Sequence, residues 1–62
     1  MKPFDRVVLT TDRFSDLGAP RGTEAFIVDE YETGDFELEV VGEGGVTLAL
    51  FSCQPADIEL AE

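Results

Sequence analysis

Glu37 and Glu39 stand two residues apart in DFELEVVGEGG, residues 35–45. In an extended strand such a pair shares one face, with Cα atoms ~6.6–6.8 Å apart. Two carboxyl groups at that spacing match the geometry used by glycosidases. Those enzymes, however, bury one acid in a cleft to raise its pKa. A 62-residue chain with no histidine and no basic residue after Arg21 supplies neither a cleft nor a general-base partner. The expectation is a protein that is not an enzyme.

Other chemistries fail on similar grounds. GEGG (42–45) has the glycines of a phosphate loop but no following lysine or helix. DEYETGD (29–35) places Tyr31 where an EF-hand loop needs an oxygen ligand, so only weak, adventitious cation binding is expected there. One cysteine and no histidine exclude an ordinary zinc site within the chain. Cys53 lies among acids, which disfavour its thiolate, and reads as a packed core sulfur. No cofactor or metal is expected. A docking surface remains: Glu37 and Glu39 on one strand face, Glu43 at the adjoining turn, and Asp29, Glu30 and Glu32 on or beside the preceding hairpin. Collected on one side, these acids would speed encounter with a basic partner. Phe14, Phe26, Tyr31 and Phe51 are the candidate apolar anchors. The plainer role of an aromatic is core, and at least three of the six are expected there, Phe36 first and Phe4 among the candidates.

The charge distribution supports this reading. The chain has 4 basic and 14 acidic residues, a net charge of −10. Residues 1–21 hold Lys2, Arg6, Arg13 and Arg21 against three acids, whereas residues 22–62 hold eleven acids and no base. Such a surface repels a phosphate backbone, so direct nucleic-acid binding is not expected. Negative charge that merely keeps a small protein soluble is the bland alternative. The first residues, MKPFDRVVLTTDRF, lack the apolar core of a signal peptide, and no run approaches the ~20 apolar residues of a membrane span. The expectation is a soluble, cytoplasmic protein with no membrane contact, and the unpaired cysteine agrees with a reducing compartment.

The elements that must position these groups are short and extended. Alternation of period two dominates. DRVVLT (5–10) reads as a strand with Val7 and Leu9 inward. TDRFSDLGAPRG (11–22) is a long loop rich in Asp, Gly and Pro. TEAFIVDEY (23–31) is a second strand, followed by a turn in which Gly34 is free to take positive φ. FELEVV (36–41) alternates most clearly: Phe36, Leu38 and Val40 inward, Glu37, Glu39 and Val41 outward. GEGG forms a tight connection to VTLALFS (46–52), where Val46, Leu48 and Leu50 alternate with Thr47, Ala49 and Phe51. One short helical turn begins near Pro55, and Ile58–Leu60 is the last strand.

These elements describe one all-β domain spanning 1–62, with 1–4 and 61–62 frayed. The expected fold is a small five-stranded SH3-like barrel with a long first loop and one helical turn before the last strand. Closure would remove the exposed edges of so small a sheet. The alternative is an open, strongly bent sheet of four or five strands that completes itself by dimerising. A chain this short buries only ~60% of its unfolded surface, so a homodimer would add apolar area to a thin core. Its radius of gyration should be roughly 11 Å.

Several motifs in order carry a resemblance: Asp5-Arg6-Val7-Val8-Leu9, Arg21-Gly22, Ile27-Val28, Tyr31, Phe36-Glu37-Leu38-Glu39-Val40, Gly45, Thr47-Leu48-Ala49-Leu50 and Pro55-Ala56-Asp57-Ile58. Together the chain resembles a family of short bacterial proteins classed as a domain of unknown function, from about residue 5 to 58. The resemblance implies an SH3-like barrel and the role of the small acidic partner in two-gene toxin–antitoxin-type modules. It implies no catalytic residue. Where the family pattern has glycine and threonine, this chain has Ala25 and Phe26. Alanine should regularise the strand there, with Phe26 on the face opposite Ile27, either as extra core or as an exposed anchor. The expected function is therefore a non-catalytic acidic module, an antitoxin or immunity-type protein that neutralises a basic partner. A structural or assembly module supporting a larger enzyme is the alternative, and an acidic decoy of a nucleic-acid groove is a third.

Overall fold

The computed structural model describes residues 1–61. Strands form where the alternation is strongest: β1 (Arg6–Leu9), β2 (Glu24–Glu30), β3 (Phe36–Val41), β4 (Thr47–Cys53) and β5 (Ile58–Leu60). Each lies within one residue of its expected bounds. Three 3-10 turns connect them, at Ser15–Leu17, Glu43–Gly45 and Pro55–Asp57. Only the last was legible beforehand, through Pro55 at its first position. A single turn carries no apolar period to betray it.

The strands form one antiparallel sheet in the order β4-β3-β2-β1-β5. The sheet is not closed: β4 and β5 are its two edges. The all-β, five-stranded expectation holds, and of the two architectures anticipated, closed barrel or open sheet, the sheet is the open one. β5 has three residues, all committed to pairing with β1, and no ladder joins it to β4 among the described residues.

The core forms on one face of this sheet. Val7, Leu9, Ala25, Ile27, Phe36, Leu38, Val40, Phe51, Cys53 and Ile58 are buried there. The long first loop supplies a lid, with Phe14 and Ala19 buried against the strands and bridged to one another. Phe14 stacks on Phe51 with ring centroids 4.5 Å apart and planes inclined by 28°. Both aromatics, read above as candidate anchors, are thus core. Phe4, a candidate for the core, is instead exposed. Folding the loop over the sheet gives a radius of gyration of 10.5 Å.

Local chemistry explains the connections. Gly34 closes the β2–β3 turn at φ 92°, in the region where a side chain would be strained, and its N–H donates to the Tyr31 carbonyl at 2.9 Å. The turn after β4 is a capping box. The Gln54 N–H donates to the Asp57 carboxylate at 2.9 Å, and the Gln54 side chain accepts from the Asp57 N–H. Asp57, buried, also accepts from Arg13 Nη1 on both oxygens at 3.0 Å, which ties the lid to this turn. Ala25 is paired with Val7 in a regular part of β2, and Phe26 faces outward, as the departure from the family pattern leads one to expect. At the end of the chain Ala61 donates its N–H to the Arg6 carbonyl at 3.0 Å, and Glu62, expected to fray, lies outside the described residues.

Candidate functional site

β3 runs between β2 and β4, so its outward residues are flanked on both sides. The register builds two rows across the solvent face. One runs Arg6, Phe26, Glu39, Leu50 over β1, β2, β3 and β4. The other runs Asp29, Glu37, Ser52 over β2, β3 and β4. Directly opposed residues in a sheet share a face and interact. Glu37 and Glu39, both half-buried, therefore lie beside an exposed phenylalanine, an exposed leucine and a third acid, Asp29.

A bulge between Ile27 and Asp29 sets the second row. It takes Val28 out of the pairing and swings Asp29 opposite Glu37, so two like charges face each other across the ladder. Such a pair is destabilising in isolation. The Tyr31 hydroxyl donates to Glu37, and its phenol is pushed above its ordinary value, first by desolvation, then by that bond and by the charges of Glu37 and Asp29. Glu39 accepts a hydrogen bond from the Thr47 hydroxyl. A neutral donor orients a carboxylate but leaves its charge in place.

None of the ion pairs seen among the described residues involves these acids. Among the described residues the ion pairs are Arg6–Glu24, Arg13–Asp57 and Arg21–Asp12. Asp29, Glu30, Glu32, Glu37, Glu39 and Glu43 take part in none of them. The structure brings Glu37, Glu39, Asp29, Phe26 and Tyr31 together and separates the rest. Glu30 is opposite buried Phe36 and so belongs to the core-facing side of its strand. Glu32 sits in the β2–β3 turn and Glu43 in the β3–β4 turn. β3 puts about 16 Å between those two ends, at ~3.3 Å per residue. Of the six acids, Asp29, Glu37 and Glu39 are the ones the strand register sets side by side.

Sequence reasoning missed the apolar half of the face. Leu48 and Leu50 are 66% and 59% exposed, and Val41 and Val46 are exposed nearby. Both parities of VTLALFS are apolar, so alternation could not say which faced inward. The usable signal was Cys53, which continues the buried parity of Phe51 beyond the predicted end of the strand.

Among the described residues no pocket is present, and the acid pair lies on an open surface. Among the described residues no three Asp, Glu or Cys side chains converge as a metal-binding group. No helix among them is long and apolar enough to cross a membrane. Cys53 is buried in the core, and its thiol is pushed up from 9.0 to about 11, by burial first and then by the charges of Asp57 and Asp35. The folded protein thus holds this proton more tightly than the unfolded chain. The stability it contributes is complete below about pH 9 and is lost as pH rises through about 11. Urea midpoints measured from pH 8 to 11 should fall more steeply for the native protein than for Cys53→Ala. Parallel curves would contradict the assignment.

A family described as Domain of unknown function (DUF4926) matches residues 4–60. No curated protein and no solved structure matches the chain. With the match spanning nearly its whole length, the chain belongs to that family.

Proposed function

We propose that this member of the DUF4926 family is a non-catalytic docking module whose outer sheet face binds a basic protein, in the manner of a small acidic antitoxin or immunity protein. The observation that carries the reading is the pairing of Asp29 with Glu37, beside Glu39, none of which takes part in an ion pair among the described residues. Folding leaves this repulsion in place, and an incoming Lys or Arg relieves it. Binding then gains where the free protein loses. Phe26 and Leu50 on either side of Glu39 supply the apolar contact that charge alone cannot.

The strand order, the long first loop and the 3-10 turn before β5 support grouping the sheet with SH3-like folds, as a strongly reduced and unclosed relative. The uniformly acidic second half supports a protein partner over nucleic acid. A bacterial origin, a cytoplasmic location and a two-gene arrangement belong to the same proposal.

The test is co-expression with the product of the adjacent gene, followed by affinity measurement across ionic strengths. The double variant Glu37→Lys/Glu39→Lys should bind at least about tenfold more weakly and lose most of the salt dependence. Its fold should be unharmed, because the change removes the repulsion with Asp29. Unchanged affinity and salt dependence would end the electrostatic reading. Recovery of a housekeeping enzyme as the tight partner would favour an assembly module instead.

A further inference from the structure

β4 is an edge strand of an unusual kind. It offers seven residues, Thr47–Cys53, whose outer backbone groups pair with no strand among the described residues. Natural edges are commonly protected by charge, proline or shortness. The opposite edge, β5, is short and carries Glu59. β4 has no such protection: the chain from Gly44 to Ala56 holds no charged residue, and Pro55 follows the strand rather than interrupting it. Leu48 and Leu50 stand exposed on its solvent face.

Building on the basic-partner reading, we propose that β4 receives an extended segment of that partner as a sixth strand, with basic residues at alternate positions. Backbone pairing along the free edge provides the register, and side chains on one face provide the selectivity. The rows across the sheet say which side chains fit. A residue of the incoming strand opposite Leu50 extends the row Phe26, Glu39, Leu50. It lies two strand spacings, ~10 Å, from Glu39. An arginine or lysine there lays its aliphatic stem on Leu50 while its head reaches towards the Glu39 carboxylate. Two residues along, a basic side chain opposite Ser52 crosses that small residue towards Glu37, which already faces Asp29. Period-two spacing of the cations follows directly from the pleat.

Charge also selects between occupants. A second copy pairing β4 with β4 would bring two chains of net charge −10 together and set Glu37 and Glu39 of each near the other. A basic strand meets the same edge with attraction.

The probe is a blocked nine-residue peptide alternating lysine with valine. Its controls are the same peptide N-methylated at every second residue, which keeps the charge but blocks ladder formation, and an alternating glutamate–valine peptide. The lysine peptide should bind and slow hydrogen exchange at the amides of β4. The N-methylated form should bind at least tenfold more weakly, and the glutamate form should not bind. Leu50→Lys should lower affinity for the lysine peptide about tenfold with the fold intact. Equal binding of the N-methylated peptide, no binding of the lysine peptide, or exchange in β4 unaltered by it would overturn strand addition. The acidic docking face would still be judged separately by the Glu37→Lys/Glu39→Lys measurement on the natural partner. A dimer without peptide, with β4 amides already protected, would assign the edge to a second copy and overturn the proposal.

Discussion

Phe51→Ala is expected to leave the protein largely unfolded at room temperature. Phe51 is 9% exposed, pairs opposite fully buried Leu38, and carries the stacked ring of Phe14 from the first loop. Truncating a buried phenylalanine costs about 3–5 kcal/mol, because the transfer energy is lost and a cavity remains. The aromatic stack adds to that loss. A 62-residue domain has a total stability of only about 3–9 kcal/mol, at roughly 0.05–0.15 kcal/mol per residue. The loop cannot collapse into the gap without pulling Phe14 from its place over the strands. Urea titration followed by far-ultraviolet circular dichroism measures the outcome. A midpoint close to the unmodified protein's would mean that Phe51 is not the centre of the core.

Asp57→Ala should have the next largest effect, about 2–4 kcal/mol of lost stability. Asp57 is 5% exposed and its carboxylate serves two elements. It accepts from Arg13 Nη1 at 3.0 Å on both oxygens and from the Gln54 N–H at 2.9 Å. Alanine removes the cap, worth about 0.5–2 kcal/mol. It also leaves the Gln54 donor and the guanidinium without their partner, where hydrogen bonds to charged groups contribute about 1.5–3 kcal/mol. Arg13 is half-exposed and can turn to water, which holds the loss below that of a fully buried pair. Asp57→Asn keeps an acceptor for the cap while deleting the charge, so its loss should be smaller. Amide exchange in residues 11–22 should quicken in both variants, because Arg13 no longer pins the lid. Equal losses for the two substitutions would show that the ion pair, rather than the cap, carries the stabilisation.

These two results bear on function through the sheet. The proposed docking face is the back of the layer that Phe51 and Asp57 hold together. Neither residue belongs to the face, so a loss of binding in their variants would follow loss of fold. By contrast Glu37, Glu39 and Leu50 lie outside the core, so their variants test the proposed docking with the core intact.

The alternation of FELEVV by itself determined that Glu37 and Glu39 point away from Phe36, Leu38 and Val40. The strand bounds, the length of the first loop and the turn at Pro55 were equally legible. All of these are local: a pleated backbone sends successive side chains to opposite faces, and Gly, Pro and Asp mark where it turns. Tertiary structure alone decided the rest. Phe14 and Phe51 are distant in sequence, and nothing local distinguishes a loop aromatic that anchors a partner from one that roofs the core. Arg13 and Asp57 lie 44 residues apart, and their bond exists only because the lid folds back onto the last turn. In VTLALFS both parities are apolar, so pairing with β3 and a bulge near Val41 settled that Leu48 and Leu50 face solvent. Whether the sheet closed was likewise beyond local pattern. Closure depends on which strands remain free to pair once the others have, and here β1 takes all of β5 while β4 keeps its edge open.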